Sequence, residues 1–344
     1  MSFHGSEAVS IEKELLRVTV TVEGGHVAEI YYKKQGVNPL WIPPWASLEP
    51  SKYDAATYPE YGLDGESKLL MGIMGHNLCL DMFGPPSANE EAAGLTTHGE
   101  GSVVRYNIHA GGDQLEMSAE LPLAGLSFKR AISLANEDVD FVETVTNKTA
   151  LDRPIAWTQH VTLGPPFLNA KTEFVFPAAK SRTFEHPEFD DGVMAVATDF
   201  KWPHLPLANG KSVDLRFFYD EEPFSRFTTH LMTEDERAWF AAFSPEHETL
   251  IGYDWRREDF PWLGLWQENK MRSQAPWNKR GVTCGLEFGA SPYPETRRQM
   301  IDRAPLFGAP VYRWLPAHGT AQVSYKAFVR SATKLSQSLA WQEK

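Results

Sequence analysis

Residues Arg17 to Lys33, RVTVTVEGGHVAEIYYK, carry the pattern that decides the fold class. Three valines alternate with polar residues before Gly24 and Gly25, and the alternation resumes after the two glycines. Apolar residues at every second position give a strand one apolar face, and two glycines allow a tight turn between antiparallel strands. The stretch therefore predicts a β-hairpin.

Similar patterns recur along the chain, each with Gly or Asn at its centre. They are VVRYNIHAGGDQLEMSAEL (103–121), SFKRAISLANEDVDFVETVTNKT (127–149) and LANGKSVDLRFFY (207–219). Helical periodicity is scarce, and the one short helix predicted, Pro294–Asp302, has a proline at its first position. We predict an all-β protein, an antiparallel β-sandwich with long loops.

The chain is predicted to form one domain. Its 344 residues contain no low-complexity linker and no repeat at a fixed period. Sandwiches often exceed ~200 residues as a single unit, so the length requires no division. We expect a single domain over residues 1–344, with peripheral ends near 1–12 and 331–344.

The net charge argues against polyanionic partners. Lys and Arg number 33 against 45 Asp and Glu, so the formal net charge is -12. This charge repels polyanions and removes the attraction that dominates nucleic-acid affinity. We expect no nucleic-acid partner, no membrane partner and a neutral small molecule as the ligand.

Cysteine usage and the N-terminal stretch bear on the cellular location. The two cysteines, Cys79 and Cys284, lack the spacing of a disulfide framework or a zinc site. The first residues, MSFHGSEAVSIEKELL, form no basic and apolar leader, and no run of ~18 apolar residues follows. The expected location is the cytoplasm.

Tryptophan and proline occur together in stretches that we interpret as stiff loops, such as PLWIPPW (39–45) and PWLGLW (261–266). Most of the eleven tryptophans are expected to pack in the core. A cleft lined by Trp also suits a pyranose ring, because the apolar face of a sugar stacks on an indole. A small-molecule carbohydrate is therefore the expected ligand.

Three irregular segments place a titratable side chain beside glycine or proline. They contain His98 in LTTHGEG (95–101), His160 in IAWTQHVTLGPPFLN (155–169) and Glu287 in GVTCGLEFGASPYP (281–294). Either histidine could be an ordinary loop or core residue, whereas a His at the end of a strand also suits proton transfer near neutral pH. A carboxylate between Leu286 and Phe288 is costly to bury unless it is paired or catalytic.

These segments, in this order, resemble the aldose 1-epimerase (galactose mutarotase-like) family. The matching elements are His98-Gly99, His160 followed by Phe167-Leu168-Asn169, and Gly285-Leu286-Glu287 followed by Pro292. The turn at Gly24-Gly25-His26 and the stretch Asn38-Pro39-Leu40-Trp41 extend the resemblance over nearly the whole chain. It implies a galactose mutarotase-like β-sandwich that binds a sugar, as a monomer or homodimer, without metal or cofactor.

The chain also departs from the family pattern. Where the family often has Arg four residues after the first His, this chain has Ser102, and the nearest arginine is Arg105. The substrate-binding Asp of the family has three possible counterparts here, Asp220, His230 and Asp254. These departures indicate a divergent branch, whose sugar need not be galactose or glucose.

The resemblance assigns roles to several side chains. Glu287 is the expected base and His160 the expected acid, facing each other across a sugar-sized gap on opposite sides of the anomeric carbon. His98 is expected to bind the substrate and polarise the ring oxygen. Further substrate-binding candidates are Trp157, His230, Asp254, Trp266 and Glu268.

Other readings remain open from the sequence. A non-catalytic carbohydrate-binding sandwich would show the same aromatic loops, but on a flat exposed platform. A phosphosugar mutarotase would need a basic pocket rim, for example Arg256, Arg257 and Lys270. A metal-dependent sugar isomerase would need converging histidines, and His76, His98 and His109 lack tight spacing.

Overall fold

Two large antiparallel β-sheets make up most of the protein in this computed structural model, which describes residues 1–185, 193–219 and 221–335. Asp220 and the last part of the 331–344 end lie outside the described residues. The strands are β1 (Ser2–Phe3), β2 (Ser6–Lys13), β3 (Leu16–Thr21), β4 (Val27–Tyr32), β5 (His76–Asp81), β6 (Asn107–Gly111), β7 (Gln114–Leu121), β8 (Leu126–Ala135), β9 (Asp138–Asn147), β10 (Arg153–Leu163), β11 (Glu173–Val175), β12 (Ala178–Thr183), β13 (Asp199–Phe200), β14 (His204–Pro206), β15 (Ser212–Asp214), β16 (Phe224–Met232), β17 (Arg237–Ser244), β18 (Thr249–Arg256), β19 (Trp262–Asn269), β20 (Val282–Gly289), β21 (Arg313–Leu315) and β22 (Thr320–Ser331).

Helices in the described residues are short. They are α1 (Ser67–Leu70), α2 (Ala88–Ala92) and α3 (Arg297–Asp302), with 3-10 turns at Pro50–Lys52, Pro59–Tyr61 and Glu100–Ser102. No helix in this part of the chain is long and apolar enough to cross a membrane.

The first sheet has the order β1-β2-β3-β4-β5-β10-β20-β19-β16-β12-β13, with β21 also paired to β10. The second has the order β11-β17-β18-β22-β9-β8-β7-β6, and β14 pairs with β15 separately. The predicted all-β antiparallel sandwich is confirmed. The four predicted hairpins are confirmed as β3–β4, β6–β7, β8–β9 and β14–β15.

The N-terminal residues lie at an edge of the first sheet, where β2 pairs with β3 and buries Ala8 and Ile11. Two local expectations were wrong. The last helix begins at Arg297, not at Pro294, because the side chain of Thr296 accepts the backbone N–H of Gln299 and caps it. The stretch 261–266 is mostly strand β19, because its alternating side chains fit a buried sheet.

The sheets pack face to face over a continuous apolar cluster to which both contribute. Phe288 on β20 stacks on Trp255 of β18, with ring centroids 4.2 Å apart. Burying a side chain of this size contributes about 1.5–3 kcal/mol. The side chains of the first sheet that point away from this core are therefore the ones available to build a pocket.

A fully buried ion pair lies inside the core. Arg130 Nε lies 2.7 Å from Glu143 Oε1, and neither side chain is exposed. Glu143 also accepts hydrogen bonds from Trp157, Gln159 and Tyr325. Because a buried charge without partners costs several kcal/mol, these bonds tie β8, β9 and β22 of the second sheet to β10 of the first.

His230 on β16 is a buried histidine, and the pH dependence of stability tests its neutral state. Its ring nitrogens lie 2.8 Å from Ser181 Oγ and 2.9 Å from Thr228 Oγ1. Burial lowers the pKa of His230 from 6.5 to about 3. Between pH 6.5 and about pH 3, His230 binds a proton in the unfolded chain but not in the folded chain. The contribution of the neutral His230 to stability is therefore fully present above pH 6.5 and is lost as the pH falls.

We expect His230→Gln to reduce the pH dependence of the free energy of unfolding. Between about pH 5.5 and 4.5, the slope should become shallower by about 1.4 kcal/mol per pH unit, the contribution of one proton. Urea denaturation at both pH values measures it. An unchanged slope in the variant would contradict the buried, neutral histidine.

Candidate active site

Three neighbouring strands place polar side chains in a row across the outer face of the first sheet. His160 on β10 is paired in register with Asn77 on β5 and with Glu287 on β20. Directly opposed residues on antiparallel strands project to the same face, with Cβ atoms about 4.5–5.5 Å apart. The sheet itself therefore brings these three side chains together.

His160 and Glu287 are in direct contact. Nε2 of His160 lies 3.1 Å from Oε1 of Glu287, and both side chains are almost completely buried. The expected sugar-sized gap between them was wrong, because the register of β10 and β20 makes them nearest cross-strand neighbours. The second ring nitrogen, Nδ1, lies 2.8 Å from Oγ1 of Thr162.

Gly285 makes room for the carboxylate of Glu287. The two residues share a face of β20, and a Cβ at position 285 would lie 2.3 Å from Oε1 of Glu287. A carboxylate in its present position is therefore incompatible with any side chain there. This explains the Gly-Leu-Glu sequence in physical terms.

His98 reaches the row from an irregular segment beside β5. Its backbone has φ 67 and that of Gly99 φ 82, both in the left-handed region. The backbone N–H of Leu80 donates a hydrogen bond of 3.1 Å to the carbonyl oxygen of His98, and this bond fixes the conformation. A Cβ at position 99 would lie 2.2 Å from the carbonyl oxygen of Leu80. The His98 ring centroid is 4.8 Å from that of His160.

His98, His160 and Glu287 line a pocket with a volume of about 220 Å³. Ligand pockets for drug-sized molecules are typically about 300–1,000 Å³, so this one suits a smaller ligand such as one sugar ring. Its polar lining residues include Asp64, Glu66, Glu91, Thr97, Arg272 and Gln274. Its apolar lining includes Trp41, Phe83, Phe227, Trp266 and Trp277.

An arginine lies against the aromatic wall. The Arg272 guanidinium carbon is 5.6 Å from the Trp266 ring centroid and 5.2 Å from that of Trp277. Its Nη1 lies 3.1 Å from a carboxylate oxygen of Glu66. The cation is therefore held by an ion pair and by two indole rings at the edge of the pocket.

Helix α3 fixes another part of the wall. Arg297 donates two bonds of 2.7 and 2.8 Å to Asp81, at the end of β5, and one of 2.6 Å to Glu90 on α2. Gly84, which follows β5, lies close to Pro294 in the segment before α3. A Cβ at position 84 would lie 2.3 Å from the carbonyl carbon of Pro294. Both segments line the pocket.

Burial shifts the titrating groups toward their neutral forms. Desolvation raises the pKa of Glu287 well above its usual range. It lowers the pKa of His160 to about 3, and the nearby Arg272 cation lowers it further. The pKa of His98 is also lowered, first by desolvation and then by the neighbouring histidines. Glu287, His160 and His98 are therefore neutral near pH 7.

The other sequence candidates divide into two groups. Trp266 lines the pocket as expected. Glu268, two residues along β19, lies behind the lining, where its Oε1 accepts the backbone N–H groups of Met271 and Arg272 at 2.7 and 3.0 Å. Glu268 thus holds the segment that carries Arg272 rather than contacting the cavity.

Trp157, His230 and Asp254 are not part of the pocket. Trp157 is three residues before His160 on the same strand, so its side chain points to the opposite face and is fully buried between the sheets. His230 points to the same interior, and Asp254 lies on β18 of the other sheet, paired with Arg237. These expectations did not account for the alternation of strand faces.

The described residues that were named for the departures from the family pattern and for the competing hypotheses, other than His98, lie outside the pocket lining. Ser102 bonds to Gly99 O at 2.8 Å, and Arg105 is paired with Glu7 at the surface. Arg256, Arg257 and Lys270 are absent from the pocket lining, and His76 and His109 lie apart from His98. Among the described residues, no group of three or more His, Cys, Asp or Glu side chains is arranged to hold a metal ion.

The sequence reasoning missed Asn77, Thr162 and Arg272. Asn77 bonds to His98, with Oδ1 3.2 Å from Nδ1. Thr162 could have been found, since it follows His160 by two residues and so shares its face. Asn77 depends on pairing between distant strands, and Arg272 lies in an irregular segment, so neither had a local signal.

Comparison with solved structures identifies the architecture. A candidate aldose 1-epimerase from Klebsiella pneumoniae superposes with a TM-score of 0.69 at 14% identity, covering 98% of this chain and 82% of that one. A galactose mutarotase-like protein from Clostridium acetobutylicum gives 0.61 at 14% identity, covering 94% and 95%. A candidate aldose 1-epimerase from Escherichia coli K12 gives 0.62 at 12% identity, covering 95% and 100%.

The chain adopts the galactose mutarotase-like fold. No protein-family model matches it, and no curated protein matches it by sequence. The fold that the resemblance implied is therefore confirmed, at 12–14% sequence identity to the three superposed structures.

We expect Trp157→Phe to destabilise the protein by about 1–3 kcal/mol, because it removes the 2.9 Å bond from Nε1 to the buried Glu143 carboxylate. Trp314→Phe is the matched control, since Trp314 is 59% exposed, and should change stability by less than about 0.5 kcal/mol. Equilibrium denaturation compares the two variants. Equal stabilities would argue against the interior position of Trp157.

Proposed function

We propose that the protein is an aldose 1-epimerase that interconverts the anomers of a neutral sugar. The observation that carries the proposal is the buried contact between His160 and Glu287 at the base of a pocket of sugar-ring size. A carboxyl and an imidazole are the two groups that general acid and base catalysis of hemiacetal opening requires. The galactose mutarotase-like fold supports the proposal.

Direct contact between the acid and the base is compatible with this chemistry. The C1 hydroxyl and the ring oxygen are both bonded to the same carbon, so neighbouring groups can serve both oxygens from one side. Glu287 takes the proton of the C1 hydroxyl, and His160 donates a proton to the ring oxygen as the bond from C1 to that oxygen breaks. The product is the open-chain aldehyde. Rotation about C1–C2 and reversal of both transfers give the other anomer.

The pair needs one proton in total. A neutral acid with a neutral imidazole and a carboxylate with an imidazolium differ only in the position of that proton along the 3.1 Å contact. Burial favours the first form, since it raises the pKa of Glu287 and lowers that of His160. Sugar hydroxyls that hydrogen-bond to the carboxylate favour the charged form that begins the reaction.

A non-catalytic carbohydrate-binding protein is the alternative. Such a protein would present aromatic rings on a flat, exposed surface. Here Trp41, Trp266 and Trp277 are at most 8% exposed, and they surround a pocket that contains a titratable pair. This arrangement favours the enzyme over the binding module.

The charge of the pocket favours a neutral sugar over a phosphosugar. Asp64, Glu66 and Glu91 line it together with Glu287, and the lining residue Arg272 is paired with Glu66. A phosphate dianion would lie close to several carboxylates and would have to compete with Glu66 for its cation.

Replacing Glu287 by Gln should reduce the anomerisation rate by at least about 10²-fold, the usual contribution of a catalytic base. Sugar affinity should change little, because the amide keeps the shape and the hydrogen-bonding capacity. Glu120→Gln, at a side chain that is 71% exposed, is the control. NMR exchange between anomeric protons measures the rate, and titration of the sugar measures affinity. Unchanged turnover would exclude Glu287 as the base.

For a neutral aldohexose and its 6-phosphate, we expect the larger kcat/KM for the neutral sugar. The carboxylates around the pocket should weaken binding of the phosphate, and more strongly at low ionic strength. Anomer exchange measured for both sugars at two salt concentrations tests this. A higher kcat/KM for the phosphate would contradict the charge argument.

A further inference from the structure

Asn77 is a buried polar residue next to the site that the proposed mechanism does not use. It lies on β5 directly opposite His160 in register, is 0% exposed, and does not line the pocket. Its Oδ1 is 3.2 Å from Nδ1 of His98 and 3.8 Å from Sγ of Cys79. An amide oxygen only accepts hydrogen bonds, and both neighbours can donate one.

This contact determines which nitrogen of His98 carries hydrogen. A neutral imidazole has a single N–H, and its position is set by the hydrogen bond that one ring nitrogen makes. With Nδ1 donating to Asn77, Nε2 must carry a lone pair. Burial keeps the ring neutral, since it lowers the pKa of His98.

The other side of the ring faces the pocket. His98 is one of the lining residues, and its Nε2 makes no hydrogen bond to any residue that the structure describes. The ring also lies beside that of His160, with centroids 4.8 Å apart. A ligand in the pocket would therefore meet an acceptor on His98 next to the acid–base pair.

We propose that Asn77 is a positioning residue that fixes the proton of His98 on Nδ1, so that Nε2 accepts a hydrogen bond from a sugar hydroxyl. Only the identity of the donor, a sugar hydroxyl, rests on the proposed function. His98 then binds and orients the ligand, whereas His160 and Glu287 exchange protons with it. This assignment replaces the expectation that His98 polarises the ring oxygen, because a lone pair cannot donate to that oxygen.

The proton position is measurable by ¹⁵N NMR of histidine-labelled protein, with the His98 signals assigned from a His98→Gln variant. In the wild-type protein we expect a protonated Nδ1 and an unprotonated Nε2 near neutral pH. In Asn77→Leu, which keeps the volume but removes the acceptor, the proton should move toward Nε2. The affinity for the sugar should then fall about tenfold, the effect of about one hydrogen bond, with a smaller change in kcat.

Two further variants separate this role from a merely structural one. Asn77→Asp keeps an acceptor oxygen beside Nδ1 and should retain the Nδ1 proton. Thr158→Val is an isosteric change on the same face of β10, outside the pocket lining, and should leave the His98 signals and the sugar affinity unchanged.

The proposal is overturned if wild-type His98 carries its proton on Nε2, or if Asn77→Leu leaves both the His98 signals and the sugar affinity unchanged. If Asn77→Leu does not fold, the wild-type spectrum alone decides the question. If the proton lies on Nδ1 and moves in Asn77→Leu, but no sugar binds to the wild-type protein, the proposed function fails while the role of Asn77 stands.

Discussion

The register between β10 and β20 is the constraint on which the rest of the site depends. It places His160 opposite Glu287 and, through β5, opposite Asn77. Side chains alternate between the two faces of a strand, so a slip of one residue would turn Glu287 into the core and Leu286 or Phe288 into the pocket. The catalytic chemistry that we propose is therefore a consequence of strand pairing, and the loops contribute His98 and part of the pocket wall.

The opposite face of β10 helps to hold this register. Gln159, adjacent to His160, donates to Glu143 at 2.7 Å, and its Oε1 lies 3.0 Å from Oη of Tyr325. Glu143 is in turn paired with Arg130. Apolar contacts alone tolerate small displacements between sheets, whereas a buried network with several directional bonds is satisfied in one arrangement. The polar interior therefore fixes a strand whose outer face carries the proposed acid.

The sequence predicted those features that depend on local pattern. Alternation on both sides of Gly or Asn turns predicted the hairpins, and the cost of a carboxylate between Leu286 and Phe288 identified Glu287. Trp157 could have been excluded by counting, because its odd spacing from His160 puts it on the other face. Asn77 and the His160–Glu287 contact could not have been predicted, because they depend on which distant strands are neighbours and on their register. Arg272 lies in an irregular segment that Glu268 holds in place. Such a segment has no periodic pattern from which the position of Arg272 could be predicted.

The paired His160 and Glu287 are proposed to catalyse anomer exchange in a sugar held in this pocket. The most direct measurement is saturation transfer between the α and β anomeric protons of neutral aldoses, with the wild-type protein at several concentrations. For at least one neutral sugar, we expect an exchange rate that rises in proportion to protein concentration above the spontaneous rate. A sugar that binds in the pocket while its anomers exchange only at the spontaneous rate would contradict it.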